Sequence, residues 1–427
     1  MNPERTPSRR ADKPGIVGDR SRVEAPKVAV SKTIRDLFAE RRRDYSLPQG
    51  LYVDPGMLEF DLRAIFHRHW LQAGLEAEIP KPGDYLTLSV GQTSVIVLRN
   101  AEGSLGAFFN TCRHRGAQIC REPRGHTRRL VCPYHQWSYD LSGRLAHAPC
   151  MHEIDANAHS LLPVRVEAVA GVIFICLAEN PPDFAPFRAT LEPMLEPHAL
   201  REARVAHTAT WVERADWKLT MQNARECYHC RAGHPQLLLS YSDFTGSDAS
   251  GDRQARIAAL ESRCRARGLK TGSVIGPWYE IRRFPLLEGA VSYTTDGKPA
   301  VARQLGTVGD GDVGVMWWGL QPNSFSHVVS DYGFFFQAFP TGPQETTVTG
   351  KWIVHKDAVE GVDYDRSRLL EVWTATNEQD RALVENNHRG MVSIAYAPGP
   401  YSRITEQMTM RFDEWYCAAA EAYMAAG

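Results

Sequence analysis

The sequence predicts an α+β chain in which a small all-β domain precedes a larger domain built from an antiparallel sheet and helices. Three observations carry that reading. From about residue 84 to 180, short alternating runs such as YLTLSV, SVIVLR and GVIFICLA are punctuated by Gly, Pro and Asn, the pattern of a small antiparallel sheet. Beyond Pro181, Pro182, Pro186 and Pro193, strand-like runs recur at VMWWGL, YGFFFQAF and TTVTGKWIVH among helical patterns. A long helical periodicity then runs from about Tyr364 to Arg389 and stops at Gly390.

Taken in order, residues 1–30 are polar and Arg-rich, lack an apolar stretch and include Glu4, Asp12, Asp19 and Glu24, which predicts a disordered tail rather than a targeting peptide. Residues 31–83 form an N-terminal helical segment that packs on the larger domain. Within it, DPGMLEFDLRAIFHRHW is a helix with Asp54 as its cap, Pro55 in its first turn, and Leu58, Leu62, Ile65, Phe66 and Trp70 on one face. The β domain spans 84–182 and the larger domain 183–427. No internal repeat is visible.

The 427 residues are 43% apolar and 10% aromatic, enough for a sizeable core. A net charge of −1 supplies no field that would draw the chain onto nucleic acid or an anionic membrane, so small molecules and proteins are the expected partners. No apolar run approaches the ~20 residues that span a bilayer; AVAGVIFICLA at 168 to 178 reads as a buried strand. Nine thinly spread cysteines predict a reducing cytoplasm, where clustered Cys and His favour metal over disulfide.

Two constellations carry chemistry. The first joins NTCRHRG, with Cys112 and His114, to CPYHQWSY, with Cys132 and His135. Each loop offers one thiolate and one imidazole. Structural zinc loops usually supply paired cysteines from one hairpin, whereas a two-iron two-sulfur cluster of the Rieske kind needs this mixture, both thiolates on one iron and both imidazoles on the other. Gly116 lets the first loop turn; Pro133, Trp137, Tyr139 and Gly143 close the second and keep water off the sulfurs. Ala117 and the displaced Cys120 predict that no disulfide joins the two loops.

The second constellation is WKLTMQNARECYHCRAGHP at 217 to 235, where Asn223, Glu226 and His229 recur every three residues on one helix face and His234 follows. A separation of five turns side chains ~140° apart on a regular helix, so His229 and His234 meet at one metal only if the helix breaks, as Gly233 and Pro235 allow. A third ligand comes from the long helix, whose inner stripe is Leu369, Trp373, Thr376, Asp380, Leu383 and Asn387. A carboxylate on such a stripe is costly unless paired or metal-bound. Asp380 with His229 and His234 makes the two-histidine, one-carboxylate triad of non-haem iron(II) oxygenases. Glu226 reads as a carboxylate that orients a histidine, in this or a neighbouring subunit, and Cys227 and Cys230 as packing.

These motifs, CxHRG at 112 to 116, CPYHxWxYxLxG at 132 to 143 and NxxExYHxxxxH at 223 to 234 followed by Asp380, resemble the large subunit of the Rieske non-haem iron oxygenases. IPKPGDYL, ECYHC, AVEGVDYD and YAPGPYSRITE are similar to the branch that demethylates quaternary ammonium compounds such as glycine betaine, proline betaine and carnitine. The resemblance implies a helix-grip catalytic domain and a homotrimer in which Glu226, with Asn223 nearby, bridges the two metal centres across a subunit boundary. It implies a Rieske 2Fe-2S cluster, a mononuclear Fe(II), O2 as co-substrate, and NAD(P)H acting through a flavin or ferredoxin-type reductase. Ring hydroxylation is the alternative on the same fold; a Rieske electron carrier without a catalytic iron is the alternative of another class. Trp317, Trp318, Tyr332, Phe334 and Phe336 come from strand-like runs that could line a pocket for a cation, with core packing as the ordinary role.

Overall fold

The computed structural model describes residues 32–241, 251–309 and 311–426; the expected disordered tail lies outside the described residues. The chain opens with helices α1 (Lys32–Ala39), α2 (Gly50–Val53) and α3 (Met57–Asp61). The helix expected from Asp54 begins only at Met57: Asp54 terminates α2 and accepts a bond from Gly56 N at 2.7 Å. From Leu62 to Phe66 α3 widens into a π turn, and Leu62, Ile65, Phe66 and Trp70 are buried as the pattern demanded. Within the segment expected to be helical lies a strand, β1 (Leu71–Leu75), whose residues are buried throughout and so show no period-2 alternation.

The β domain holds a four-stranded antiparallel sheet of β2 (Asp84–Val90), β3 (Thr93–Arg99), β4 (Leu105–Phe109) and β5 (Arg124–His126), in the order β4-β3-β2-β5. A second small sheet, β6 (Leu130–Val131), β7 (Ser138–Tyr139) and β8 (Leu145–His147), carries the CPYH loop between its first two strands. β9 (Arg165–Val169) and β10 (Val172–Cys176) return the chain to β1, which pairs with β10. The faces of β3 divide by parity: Val95 and Val97 join the main core, while Ile96 and Leu98 join the small core around Cys112, Cys132 and Trp137.

After α4 (Ala185–Leu195) comes the larger sheet: β11 (Ala203–Glu213), helices α5 (Trp217–Asn223), α6 (Cys230–Gly233) and α7 (Gly251–Ala266), then β12 (Ser273–Ile275), β13 (Tyr279–Phe284), β14 (Val315–Leu320), β15 (Ser324–Val328), β16 (Gly333–Gly342) and β17 (Glu345–His355). The order is β11-β17-β16-β15-β14-β13-β12, antiparallel throughout. Helices α8 (Arg366–Met391) and α9 (Gln407–Ala426) complete the chain. One sheet face, with Trp317, Phe334 and Trp352, packs in the core that holds Leu369 and Trp373 of α8. The other, with Trp318, Phe335 and Ile353, meets Phe187, Leu191 and Met194 of α4.

A buried charged network locks α3, α5 and α9 together. Lys218 Nζ donates to Asp61 Oδ2 at 2.6 Å and to Asp216 Oδ2 at 3.1 Å, while Trp217 Nε1 and the Tyr416 hydroxyl donate to Asp61 at 2.8 Å each. Asp216 also caps α5 by accepting from Lys218 N. Among the described residues no helix is long and apolar enough to cross a membrane.

Candidate functional site

The two Cys/His loops are congruent. Gly116 N donates to Cys112 O at 3.0 Å and Cys112 N to Ala117 O at 2.9 Å; Gln136 N donates to Cys132 O at 3.1 Å and Cys132 N to Trp137 O at 2.8 Å. The fifth residue of each turn is left-handed, Gly116 at φ +78 and Gln136 at φ +59. The second loop therefore takes at Gln136 the conformation that the first assigns to glycine. Each turn buries its cysteine, Cys112 and Cys132, and the rings of His114 and His135 come to 4.7 Å centroid separation. His114 stacks on Trp137 at 4.8 Å. The Tyr139 hydroxyl lies 3.3 Å from Cys112 Sγ and accepts from Arg113 N at 3.0 Å. Pro133 is exposed and shields nothing, and Cys120 is a free thiol, so no bridge joins the loops. His114 Nδ1 is buried without a hydrogen-bond partner. A buried imidazole nitrogen without a partner, in a pair of turns that also buries two free thiols, is costly as packing and fits a 2Fe-2S cluster with mixed ligands.

The second site departs from the regular helix that the spacing suggested. α5 ends at Asn223, so Asn223, Glu226 and His229 do not share a helix face; Glu226 and His229 lie in the connection to α6. A local turn brings them together instead: His229 Nδ1 stands 2.5 Å from Glu226 Oε1, and Glu226 Oε2 accepts from Tyr228 N. α6 is a single turn, and His234 leaves it at φ −126, ψ 66, the break that a separation of five requires. His229 Nε2 and His234 Nε2 then lie 3.0 Å apart, with Asp380 Oδ1 at 3.3 Å from the first and 3.0 Å from the second. Asn223 Nδ2 is 3.5 Å from His229 Nε2.

Ligand atoms on one face of an octahedron with bonds of about 2.1 Å stand about 3.0 Å apart, so this triangle has the dimensions of a facial triad. Asp380 Oδ1 is buried with no aligned donor. Burial pulls the His229 pKa down, but the Asp380 and Glu226 carboxylates outweigh it and raise it to about 10. Burial works against the charged form of Asp380, yet the two imidazoles hold its carboxyl below the usual range. Two carboxylates around two imidazoles thus leave the site demanding positive charge, and the residues fit an iron(II) ion.

Two further expectations need correction. Cys227 and Cys230 are not packing thiols: they form a disulfide that brackets His229. Cys230 Sγ is near both imidazoles but, so bonded, offers no thiolate. The inner stripe of α8 drifts: Leu369, Trp373 and Thr376 are buried, but Leu383 and Asn387 are exposed and Val384, His388 and Met391 take over. Twenty-six residues at 3.6 per turn outrun a strict alternation of three and four. Asp380 sits where the stripe crosses to the site rather than in a core.

A cavity of about 510 Å³ opens on the triad. Of the five aromatics considered, only Trp317 lines it; Trp318 points to the opposite sheet face, Tyr332 donates to Tyr293 O, Phe334 stacks on Trp373 at 4.4 Å and Phe336 on Phe325 at 4.3 Å. The wall is completed by Tyr241, Phe284, Phe325, His327 and Trp373. Alternation along β14 and β15 would have separated Trp317 from Trp318, but which face holds the cavity is a tertiary matter. Gln379, beside Asp380 on α8, was also missed; its carboxamide is 3.0 Å from His234 Nδ1 and helps fix that ring.

Comparisons with known proteins cover both domains. Residues 69–164 match the model of the Rieske 2Fe-2S domain and residues 200–422 that of the ring hydroxylating alpha subunit catalytic domain. The oxygenase subunit of a glycine betaine monooxygenase from Pseudomonas aeruginosa is 45% identical over 90% of this chain and 91% of its own. One from Chromohalobacter salexigens is 41% identical over 93% and 90%. The quaternary ammonium Rieske monooxygenase CntA, solved with L-carnitine, shares the fold at a TM-score of 0.67 and 20% identity, covering 92% of this chain and all of that one. Naphthalene dioxygenase from Rhodococcus shares it at 0.65 and 17%, over 92% and 99%. With both domain models in one chain and relatives above 40% identity over nine-tenths of it, this protein belongs to the Rieske non-haem iron oxygenases as an oxygenase alpha subunit, an enzyme whose cofactors are a 2Fe-2S cluster and a mononuclear iron.

Proposed function

We propose that this chain is the oxygenase component that removes a methyl group from a betaine-like quaternary ammonium substrate, with glycine betaine the leading candidate. The observation that carries this is the aromatic wall facing the triad, with Trp317, Phe325 and Trp373 in a cavity of about 510 Å³. A trimethylammonium group has no hydrogen to donate, so aromatic faces, each worth about 0.5–2 kcal/mol, are its natural replacement for water. The sequence relatives that act on glycine betaine point the same way.

In this reading Cys112, His114, Cys132 and His135 hold the 2Fe-2S cluster, and His229, His234 and Asp380 hold the iron. When bound, the two centres supply stored electrons and dioxygen activation for hydroxylating an N-methyl carbon. Glu226 accepts the proton side of His229 and so keeps Nε2 turned toward the metal position; the Gln379 carboxamide does likewise at His234. His135 is only partly covered, as a ligand that must receive electrons across a surface should be. Glu226 and Asn223 serve as the link to the cluster of a neighbouring subunit in a homotrimer. A flavin or ferredoxin-type reductase carries electrons from NAD(P)H, and the cytoplasm is the compartment. The hydroxymethyl product releases formaldehyde and the tertiary amine.

The test is aerobic turnover of purified chain, ferredoxin-type reductase and NADH with glycine betaine. Formaldehyde and dimethylglycine in equal amounts are expected. A diol from an arene, with no formaldehyde from any betaine, would replace this reading by ring hydroxylation.

A further inference from the structure

The cavity that opens on His229, His234 and Asp380 is lined by five arginines and four carboxylates. Three of the arginines, Arg225, Arg282 and Arg411, meet around one of the carboxylates, Glu280. Arg411 Nη2 donates to Glu280 Oε2 at 2.8 Å and Arg282 Nη1 to Glu280 Oε1 at 3.4 Å. One carboxylate is thus shared by two guanidiniums, with a third beside them. Of the other two arginines of the lining, Arg283 donates to Lys270 O, Val313 O and Met194 O, and Arg253 is an exposed residue of α7.

Arg225 is 3% exposed and donates one bond, from Nη2 to Leu320 O at 3.3 Å. It reaches this position because β14 offers the bare backbone of Gly319, where any Cβ would strike Arg225 Nη1. Burial, only partly offset by Glu280, lowers its pKa to about 10. The Nε atoms of Arg225 and Arg282 are both buried with no hydrogen-bond partner among the described residues. Charged donors are left unpaired in this way only at a cost, which an anion in the cavity would remove.

The same region holds the aromatic wall. The Arg282 guanidinium lies over the Trp317 ring at 4.5 Å and the Phe284 ring at 5.3 Å, so the ring that faces the cavity is also the platform of the arginine. His327 adds no charge: burial first, and Arg282 second, hold its pKa well below the usual value. Of the other carboxylates of the lining, Asp380 and Glu226 are engaged by the two imidazoles and Glu261 is carried by α7. A ligand with a cation at one end and an anion at the other matches this charge pattern. A cation alone would meet three guanidiniums.

We propose that Arg282, backed by Arg225 and Arg411, binds the carboxylate of a zwitterionic substrate, so that the pocket accepts quaternary ammonium carboxylates and rejects choline-type cations. This rests on the demethylase reading and specifies its substrate class.

The test compares glycine betaine with choline, which keeps the trimethylammonium and replaces the carboxylate by a neutral alcohol. Wild type, R282Q and R282K, each loaded with cluster and iron, are assayed with reductase by formaldehyde release. Loss of a charged hydrogen bond predicts that R282Q raises KM for glycine betaine about 10- to 100-fold with kcat changed less, and lowers the betaine-to-choline preference by a similar factor. R282K falls between. An unchanged preference in R282Q with its cluster spectrum and iron intact, or wild-type turnover of choline as fast as glycine betaine, would overturn the proposal while leaving the demethylase reading in place. Calorimetry on the wild-type holoenzyme needs neither variant nor turnover: tert-butylacetate, the uncharged-head isostere with a carboxylate, binds, and tert-butylethanol does not. If no betaine is demethylated yet tert-butylacetate binds, the carboxylate subsite stands and the demethylase reading falls. If tert-butylacetate does not bind, the subsite falls.

Discussion

In the β domain the four metal-type side chains come from two turns with the same backbone bonds, each closed within six residues, from Cys112 to Ala117 and from Cys132 to Trp137. In the catalytic domain the three side chains proposed to hold the iron come from a broken helix and from α8, far apart in the chain, and the frame beneath them is held by buried charge at Asp61, Asp216 and Lys218. The first site is a local structure that the sheet merely supports. The second exists only when the tertiary core has formed. Local backbone bonds fix a loop whatever surrounds it, whereas a triad assembled over long range inherits every displacement of the helices that carry it.

The largest expected effect separates the two sites outright. Asp380→Asn should empty the mononuclear position and abolish turnover, lowering iron from three to two per chain while the visible spectrum of the cluster is unchanged. Cys132→Ser should do the reverse, losing the cluster and its colour. Loss of both metals in either variant, measured by iron analysis and spectroscopy, would show that the regions are not independent.

Next in size is Lys218→Met, which leaves Asp61 and Asp216 buried without a countercharge. A loss of about 3–5 kcal/mol in unfolding free energy is expected, with iron in the triad released before the cluster on heating. Simultaneous release would argue that the β domain depends on the same frame.

A pH effect comes from Asp413 in the same core, whose carboxyl accepts from Gln222 Nε2 at 2.6 Å and from the Tyr401 hydroxyl at 2.8 Å. Burial raises its pKa from 3.8 to about 7. The folded state then binds more protons than the unfolded state between those values, so stability from this group falls as pH rises through that window, by at most about 4 kcal/mol. Asp413→Asn should flatten the pH dependence of Tm between about pH 4 and 7 relative to wild type. Parallel curves would exclude Asp413 as the source.

The smallest effect tests the local site. Tyr139→Phe removes the hydroxyl beside Cys112 Sγ, and a thiolate deprived of a donor holds an added electron less well. Potentiometry should give a lower cluster potential with iron content intact; a potential equal to wild type would remove Tyr139 from the cluster's surroundings.

Much of this was legible before the fold was known. VMWWGL and TTVTGKWIVH fall on β14 and β17, and the spacing of five between His229 and His234 demanded the break that α6 supplies. Other features were not. β1 is buried on both sides and carries no alternation, and Glu226 reaches His229 through a turn rather than a helix face. The disulfide at Cys227 and Cys230 could equally have been two packing thiols, because pairing depends on where the Cβ atoms point and not on spacing.

The sequence by itself determined the metal chemistry, since ligand type and short spacing are properties of a few neighbouring residues: one thiolate and one imidazole per loop, two imidazoles and a carboxylate beyond. The tertiary structure alone decided the pocket. Only the packing of β13 to β15 against α8 chooses Trp317 over Trp318 for the cavity wall, brings Arg225 onto Gly319, and sets three guanidiniums around Glu280. Ligand identity is local, whereas charge balance in a cavity is a sum over side chains that meet only after folding.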